Sequence, residues 1–325
     1  MERKTVLVTF PCPEELRREL EGRADFRFLF REEGWTREDY LAALEEAHII
    51  LGEPRNEEFV HCRNLELLHS PCAGVNYYVE GGCFPPSARL CCVSGAYGNV
   101  IAEHMLSLIL AISRRIPEYR DQQHRGEWKW LFYDRQLEDA RVLILGAGDI
   151  GTTLAGFLRP MVKEIVGMRR VKRECPDCFD AMISPEELDG ELSRADIVAC
   201  ALPQTPLTVG LLDERRLGLM KDDAILVNAG RGSLIDQEAL CRYLQAGKFY
   251  GVGLEVTSPE PLPKDHPLWH QPRLILTPHA SGNTFAPDSP LVRKIWKAML
   301  ANVDRFARGE ALVCQIDFST GYRKL

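Results

Sequence analysis

Long apolar runs are missing from this chain of 325 residues. The most apolar helix-like stretch, Val100 to Ser113, is broken by Glu103 and His104 and does not fit a membrane span. The first apolar stretch, Thr5 to Phe10, stops at Pro11, too short for a signal h-region. Positive charge is not in excess either: 40 Lys and Arg face 47 Asp and Glu, a net charge of −7. That balance argues against nucleic acid or an anionic membrane as the main partner. Repeats and low-complexity segments are absent. Of the 11 cysteines, only Cys175-Pro-Asp-Cys178 forms a CxxC, and no second pair stands at zinc-ligand spacing. No metal is therefore expected. An odd number of scattered thiols without a secretory signal points to a reduced, cytoplasmic protein.

What the chain does contain is alternation. Strand-like runs at Thr5–Phe10, Phe26–Phe30, His48–Leu51, Leu65–His69 and Leu90–Ser94 are interleaved with helical segments near Glu14–Glu21 and Arg37–Glu46. Parallel strands need crossover helices, so this pattern predicts a parallel α/β sheet. A long helix follows from about Asn99 to Arg115. Trp128, Trp130, Phe132 and Tyr133 then crowd one short stretch, a composition that fits an interface between subunits as well as it fits packing within one. A second series begins at Arg141, with strands expected at Val142–Leu145, Glu164–Gly167, Asp196–Cys200, Ala224–Val227, Tyr250–Leu254 and Leu274–Thr277. Six strands with helix-length spacers suit a doubly wound sheet. A last helix is expected from Pro290 to about Phe306.

The strongest local motif is Val142-Leu-Ile-Leu-Gly146-Ala-Gly148-Asp149-Ile150-Gly151. It follows an apolar strand and opens an apolar-periodic helix, the context that makes GxGxxG a dinucleotide fingerprint. Gly146 permits the tight turn, Gly148 lets backbone approach a pyrophosphate, and Gly151 allows close helix–strand packing. N–H groups at the helix start, near Asp149 and Ile150, would receive the negative charge. About 20 residues on, an acid would bind the ribose hydroxyls of NAD. Here the strand ends in Arg169 and Arg170, followed by Lys172 and Arg173. Guanidinium groups pair with a 2′-phosphate, so NADP(H) is expected in preference to NAD(H).

Four further segments sit after strands of this second series: Ala201-Leu-Pro-Gln-Thr-Pro-Leu-Thr208, Val227-Asn-Ala-Gly-Arg231, Glu255-Val-Thr-Ser-Pro-Glu260-Pro-Leu-Pro263 and Thr277-Pro-His279-Ala-Ser281. With Tyr97-Gly-Asn-Val-Ile-Ala-Glu-His104 and the closing Asp317–Tyr322, they make the sequence resemble the D-isomer-specific 2-hydroxyacid dehydrogenase family, in its NADP-preferring, glyoxylate/hydroxypyruvate reductase-like branch. The chemistry of a 2-keto acid suits these residues. Arg231 can fork the carboxylate and polarise the keto oxygen. His279 can donate the proton and take it back in the reverse direction. Glu260 can hydrogen-bond the imidazole and fix its tautomer.

The resemblance implies more. Leu202, Pro203, Thr208, Ala229, Glu255 and Ser281 would border the cofactor, Glu255 standing where the family usually places an Asp against the nicotinamide amide. The loop Cys72-Ala73-Gly74-Val75 would hold the substrate carboxylate through backbone N–H groups, joined there by Arg231 and His279. His104 is expected to be a structural residue at the lobe boundary. The implied fold is α/β in two lobes, a Rossmann-type doubly wound parallel sheet and a smaller flavodoxin-like α/β substrate lobe. Residues 1–98 with 291–325 would form the substrate-binding domain and residues 99–290 the dinucleotide-binding domain, with the active site in the cleft. The expected protein is a cytoplasmic homodimeric oxidoreductase acting on a small 2-keto or D-2-hydroxy acid. A dinucleotide-sensing interaction protein on the same fold is the rival reading. Oxidation of Cys175 and Cys178, close in sequence to Arg169, would be tested by comparing cofactor affinity in reduced and oxidised protein.

Overall fold

A computed structural model describes residues 3–132, 134–171, 174–282, 285–321 and 323–324. Tyr133, Lys172, Arg173 and Tyr322 lie outside the described residues. The chain forms two compact units, Met1–Ala96 with Thr284–Leu325, and Tyr97–Asn283.

The first unit holds strands β1 (Lys4–Val8), β2 (Phe26–Phe30), β3 (Ala47–Leu51), β4 (Leu67–His69) and β5 (Arg89–Cys91). Helices α1 (Glu14–Glu21), α2 (Arg37–Glu46) and α3 (Asn76–Glu80) connect them. All pairings are parallel, in the flavodoxin-like order β2-β1-β3-β4-β5. Helix α2 starts where its sequence says it should. Thr36 Oγ accepts the Asp39 N–H at 3.1 Å while the Asp39 carboxylate returns to the Thr36 N–H at 2.8 Å, a complete capping box.

The second unit holds helices α4 (Gly98–Ser113) and α5 (Ile116–His124), then β6 (Arg141–Leu145), α6 (Asp149–Leu158), β7 (Glu164–Met168), β8 (Ala181–Ile183) and α7 (Leu188–Leu192). It continues through β9 (Ile197–Cys200), α8 (Glu214–Leu219), β10 (Ile225–Asn228), α9 (Gln237–Gln245), β11 (Gly251–Leu254) and β12 (Leu274–Leu276). The parallel sheet runs β12-β11-β10-β9-β6-β7-β8, the doubly wound order with one strand added at the β12 edge. Its strands read as continuous apolar runs because both faces are covered. Val142 and Ile144 enter one core with Ile165, Ile197 and Val227, and Leu143 and Leu145 enter the other with Val166, Val198 and Leu226. Among the described residues no helix is long and apolar enough to cross a membrane.

Helix α10 (Pro290–Ala307) returns to the first unit, capped by Ser289 Oγ on the Val292 N–H. Its Asn302 meets the buried His69, which is 1% exposed. The Val313 N–H can only donate, so Asn302 Oδ1 faces it at 2.8 Å and Asn302 Nδ2 faces His69 Nε2 at 3.0 Å. Nε2 must then accept, which leaves the hydrogen on Nδ1, 3.2 Å from the Ser70 carbonyl. Burial lowers the His69 pKa from 6.5 to about 4. The unfolded chain thus takes up this proton first, and stability is lost as pH falls from 6.5 toward 4. Urea unfolding at about pH 7 and about pH 4.5 is expected to show an extra acid loss of roughly 2–3 kcal/mol in the native protein relative to His69→Gln. Equal losses in the two proteins would remove His69 as the cause.

Candidate active site

Five loops stand side by side at the C-terminal ends of β6, β9, β10, β11 and β12, where open α/β sheets bind ligands. Each leans on the next through close backbone contact. Gly146 follows β6 with φ +104°, a left-handed-side conformation that favours glycine, and a Cβ there would lie 2.7 Å from the Ala201 carbonyl oxygen after β9. After β10, a Cβ at Gly230 would lie 2.5 Å from the Leu202 carbonyl oxygen. One at Gly232 would lie 2.0 Å from the carbonyl carbon and oxygen of Thr257, after β11. The row of loops is thereby held at backbone-to-backbone distance.

On the β6 loop, a Cβ at Gly148 would meet nothing within 4 Å, so the backbone there is open to an approaching group. Helix α6 begins at Asp149, and the N–H groups of its first turn have no acceptor within the helix. The Asp149 carboxylate is turned onto the Gly98 N–H at 2.8 Å, which begins α4. Arg169, at the tip of β7, reaches back so that its Nε donates to the Ala147 carbonyl at 2.5 Å. A guanidinium therefore lies against the glycine loop. Arg170 beside it is exposed. These features fit a dinucleotide. Thr208 Oγ is used within its own loop, donating to the Pro203 carbonyl at 2.6 Å, and Ala229 is buried behind the β10 loop. Leu202 is partly exposed and Pro203 is exposed.

Arg231 lies next to Gly232 and is set by Asn228, a fully buried residue that motif reading passed over. Asn228 Oδ1 accepts the Gly230 N–H at 3.0 Å and its amide donates to the Arg231 carbonyl at 3.0 Å. An Asn at a strand end before a glycine is an Asx-turn signal, so this role was readable. Arg231 Nη1 donates to the Gly230 carbonyl at 2.7 Å. From Gly232 the contact passes to Thr257, whose N–H donates to Glu260 Oε1 at 3.0 Å. The other carboxylate oxygen, Glu260 Oε2, lies 2.8 Å from His279 Nδ1. Arg231, Glu260 and His279 are thus linked through three adjacent loops. The carboxylate at Nδ1 sets the orientation and tautomer of the imidazole.

Glu255 and Ser281 meet each other on the β11 and β12 loops. Glu255 is 1% exposed, and its two oxygens meet Thr277 Oγ, His104 Nε2 at 3.0 Å and the Ser281 N–H at 2.5 Å. Burial alone would raise its pKa. The hydrogen bonds from Thr277 and Ser281 and the nearby His104 hold it below the ordinary carboxylate value instead. Ala73 and Gly74 belong to the first unit, after β4 and before α3, with Ala73 exposed. The Cys72 N–H donates to Ser70 Oγ at 3.0 Å. Burial pushes the Cys178 thiol up, and its Sγ lies 3.7 Å from the Thr152 carbonyl in α6. Among the described residues no three His, Cys, Asp or Glu side chains gather as a metal ion would require.

A doubly wound sheet with a glycine loop at its central strand, and an imidazole–carboxylate pair on the same row of loops, defines a dinucleotide-binding oxidoreductase. The family model described as "D-isomer specific 2-hydroxyacid dehydrogenase, NAD binding domain" matches residues 106–281. The chain belongs to the D-isomer specific 2-hydroxyacid dehydrogenase family, and its second unit carries that family's NAD(P)-binding domain.

Solved structures agree. A family member from Aeromonas salmonicida subsp. salmonicida is 30% identical, covering 98% of this chain and 100% of its own, with a TM-score of 0.84. A probable 2-hydroxyacid dehydrogenase from Rhizobium etli, solved with NADP, HEPES and L(+)-tartaric acid, is 25% identical over 99% of this chain and 100% of its own, TM-score 0.77. An NADPH-dependent glyoxylate/hydroxypyruvate reductase from Sinorhizobium meliloti shares the fold at 23% identity, covering 98% and 100%, TM-score 0.79.

Proposed function

We propose that the protein reduces a small 2-keto acid to its D-2-hydroxy acid, with His279 as proton donor and NADPH as the preferred reductant. The observation that carries this reading is the His279–Glu260 contact of 2.8 Å, which pairs an imidazole with a carboxylate on the same row of loops as Arg231. The cofactor's chemistry is a hydride delivered to C2 of the keto acid. His279 would give its proton to the former carbonyl oxygen, which becomes the hydroxyl of the product. Arg231 would take the substrate carboxylate and polarise the keto oxygen. The second unit would hold the dinucleotide. Glyoxylate and hydroxypyruvate are the first substrates to try, given the Sinorhizobium meliloti reductase of the same fold.

NADPH preference rests on Arg169 lying against the glycine loop with no acid at the β7 tip. The Rhizobium etli structure with NADP adds to it. Oxidation of NADPH and NADH, measured against a panel of 2-keto acids, tests the whole reading. Arg169→Asp is expected to lower the NADPH-over-NADH preference about 10- to 100-fold, the worth of one charged hydrogen bond. An unchanged ratio would overturn the phosphate argument. Turnover of no acid at all, with NADPH still bound, would favour the sensing protein instead. Trp128, Trp130 and Phe132 are strongly exposed on this second unit, an apolar patch that supports a homodimer. Sedimentation velocity giving only monomer would end that part. Eleven cysteines, all thiols, support a reducing, cytoplasmic setting.

A further inference from the structure

Glu255 is buried, charged and not used by the chemistry just described. Its surroundings follow from how α4 lies on β11. A Cβ at Gly251 would meet Ile112 Cγ2 at 2.4 Å, and one at Gly253 would meet Leu108 Cβ at 3.2 Å. The helix therefore runs antiparallel to the strand with almost nothing between them. Four helical residues rise about 6 Å, and two strand residues about 6.6 Å. The two periods nearly match, so Ile112 over Gly251 and Leu108 over Gly253 place His104 beside Glu255. The observed His104 Nε2–Glu255 Oε2 distance is 3.0 Å.

His104 Nε2 also lies 3.0 Å from Thr277 Oγ, whose hydroxyl donates to the same carboxylate oxygen. A bare nitrogen lone pair cannot face a carboxylate at that distance, so Nε2 carries a hydrogen. The other oxygen of Glu255 takes the Ser281 N–H. Its main-chain carbonyl takes the His279 N–H at 2.9 Å. Thr277, His279 and Ser281, alternate residues of one turn, are all fastened to Glu255. His279 itself sits at φ +52°, a left-handed conformation that a non-glycine residue keeps only when its surroundings impose it.

We propose that Glu255, seated by His104, is a positioning residue for His279, holding the 277–281 turn from beneath so that the imidazole is presented at a fixed height. This rests on His279 being the proton donor. It assigns the Glu255 carboxylate to the turn and not to the nicotinamide amide. The reason is that both of its oxygens are already engaged by donors of its own unit. Glu260 holds the ring at Nδ1, and the turn below holds the main chain that carries the ring.

The experiment compares Glu255→Gln, His104→Leu and His104→Gln in the full chain. An amide at 255 sets an NH2 against one of three donors, so Glu255→Gln is expected to lower kcat on the order of 100-fold. NADPH affinity, read by fluorescence titration, stays where it was. His104→Leu is expected to give a similar loss, and His104→Gln, which keeps a donor, to restore turnover. In cofactor-free Glu255→Gln, amide hydrogen exchange is expected to quicken at 277–282 and nowhere else in the second unit. Unchanged exchange there, normal kcat, or a defect confined to NADPH affinity would each overturn the proposal, the last by returning Glu255 to the cofactor. Full turnover by His279→Gln would bring down the proton-donor reading and this one together. An inactive His279→Gln beside a fully active Glu255→Gln would remove the positioning role alone.

Discussion

Replacing His279 with alanine is expected to cut turnover about 10²- to 10⁴-fold, the usual worth of a positioned general acid. NADPH binding and the unfolding temperature are expected to stay nearly as they were. The imidazole is 46% exposed and its Glu260 partner 36% exposed, so the pair stands largely in water. An exposed ion pair contributes only about 0–1 kcal/mol to folding. Holding a non-glycine residue at positive φ costs about 1–3 kcal/mol. Alanine, also a non-glycine residue, bears the same φ cost, so only the exposed pair is lost and the fold is expected to feel little of it. Steady-state kinetics, an NADPH titration and a thermal melt on one preparation check all three parts. A variant that melts early and also fails to bind NADPH would show a structural histidine and refute the assignment.

The second large effect is expected at Gly232, which no reaction scheme mentions. Alanine there would put a methyl carbon 2.0 Å from the Thr257 main chain, and backbone cannot swing aside as a side chain can. Either the Arg231 loop or the Glu260 loop must move. Stability is expected to fall by about 1–3 kcal/mol, as for other overpacked sites. Turnover is expected to fall on the order of 100-fold, since an ångström of misplacement separates the guanidinium from the imidazole pair. Gly156→Ala makes the comparison clean. Gly156 lies in α6, exposed, with nothing within 4 Å of the added carbon. Helix propensity alone then predicts a gain of about 0.5–1 kcal/mol and unchanged turnover. If both alanines behaved alike, the close contact at Gly232 would not matter.

Much of the fold could be read from the chain because buried parallel strands need unbroken apolar runs and their crossovers need charged, periodic helices. Phe26–Phe30, Glu14–Glu21 and Arg37–Glu46 were legible to the residue. Strand β8 was not, because three residues at a sheet edge carry too little pattern to stand out from a turn. Helix α5 was hidden by the aromatic stretch after it, although Pro117 and Glu118 in its first turn are ordinary start signals. The second unit begins at Tyr97 where residue 99 was expected, and the chain rejoins the first unit at 284, earlier than 291. In the site, residue types at strand ends were legible, but side-chain direction was not. Glu255 follows β11 in either reading. Only the three-dimensional course of α4 shows that its carboxylate meets a histidine some 150 residues earlier (255 − 104 = 151).

The glycines of β11 have a further meaning. They face α4, and by lacking side chains they decide how deeply that helix settles. A single methyl added to Gly253 would lie 3.2 Å from Leu108 Cβ, so the helix must give by a few tenths of an ångström and carry its histidine tip with it. The fault would surface as a slow enzyme long before it surfaced as a fragile one.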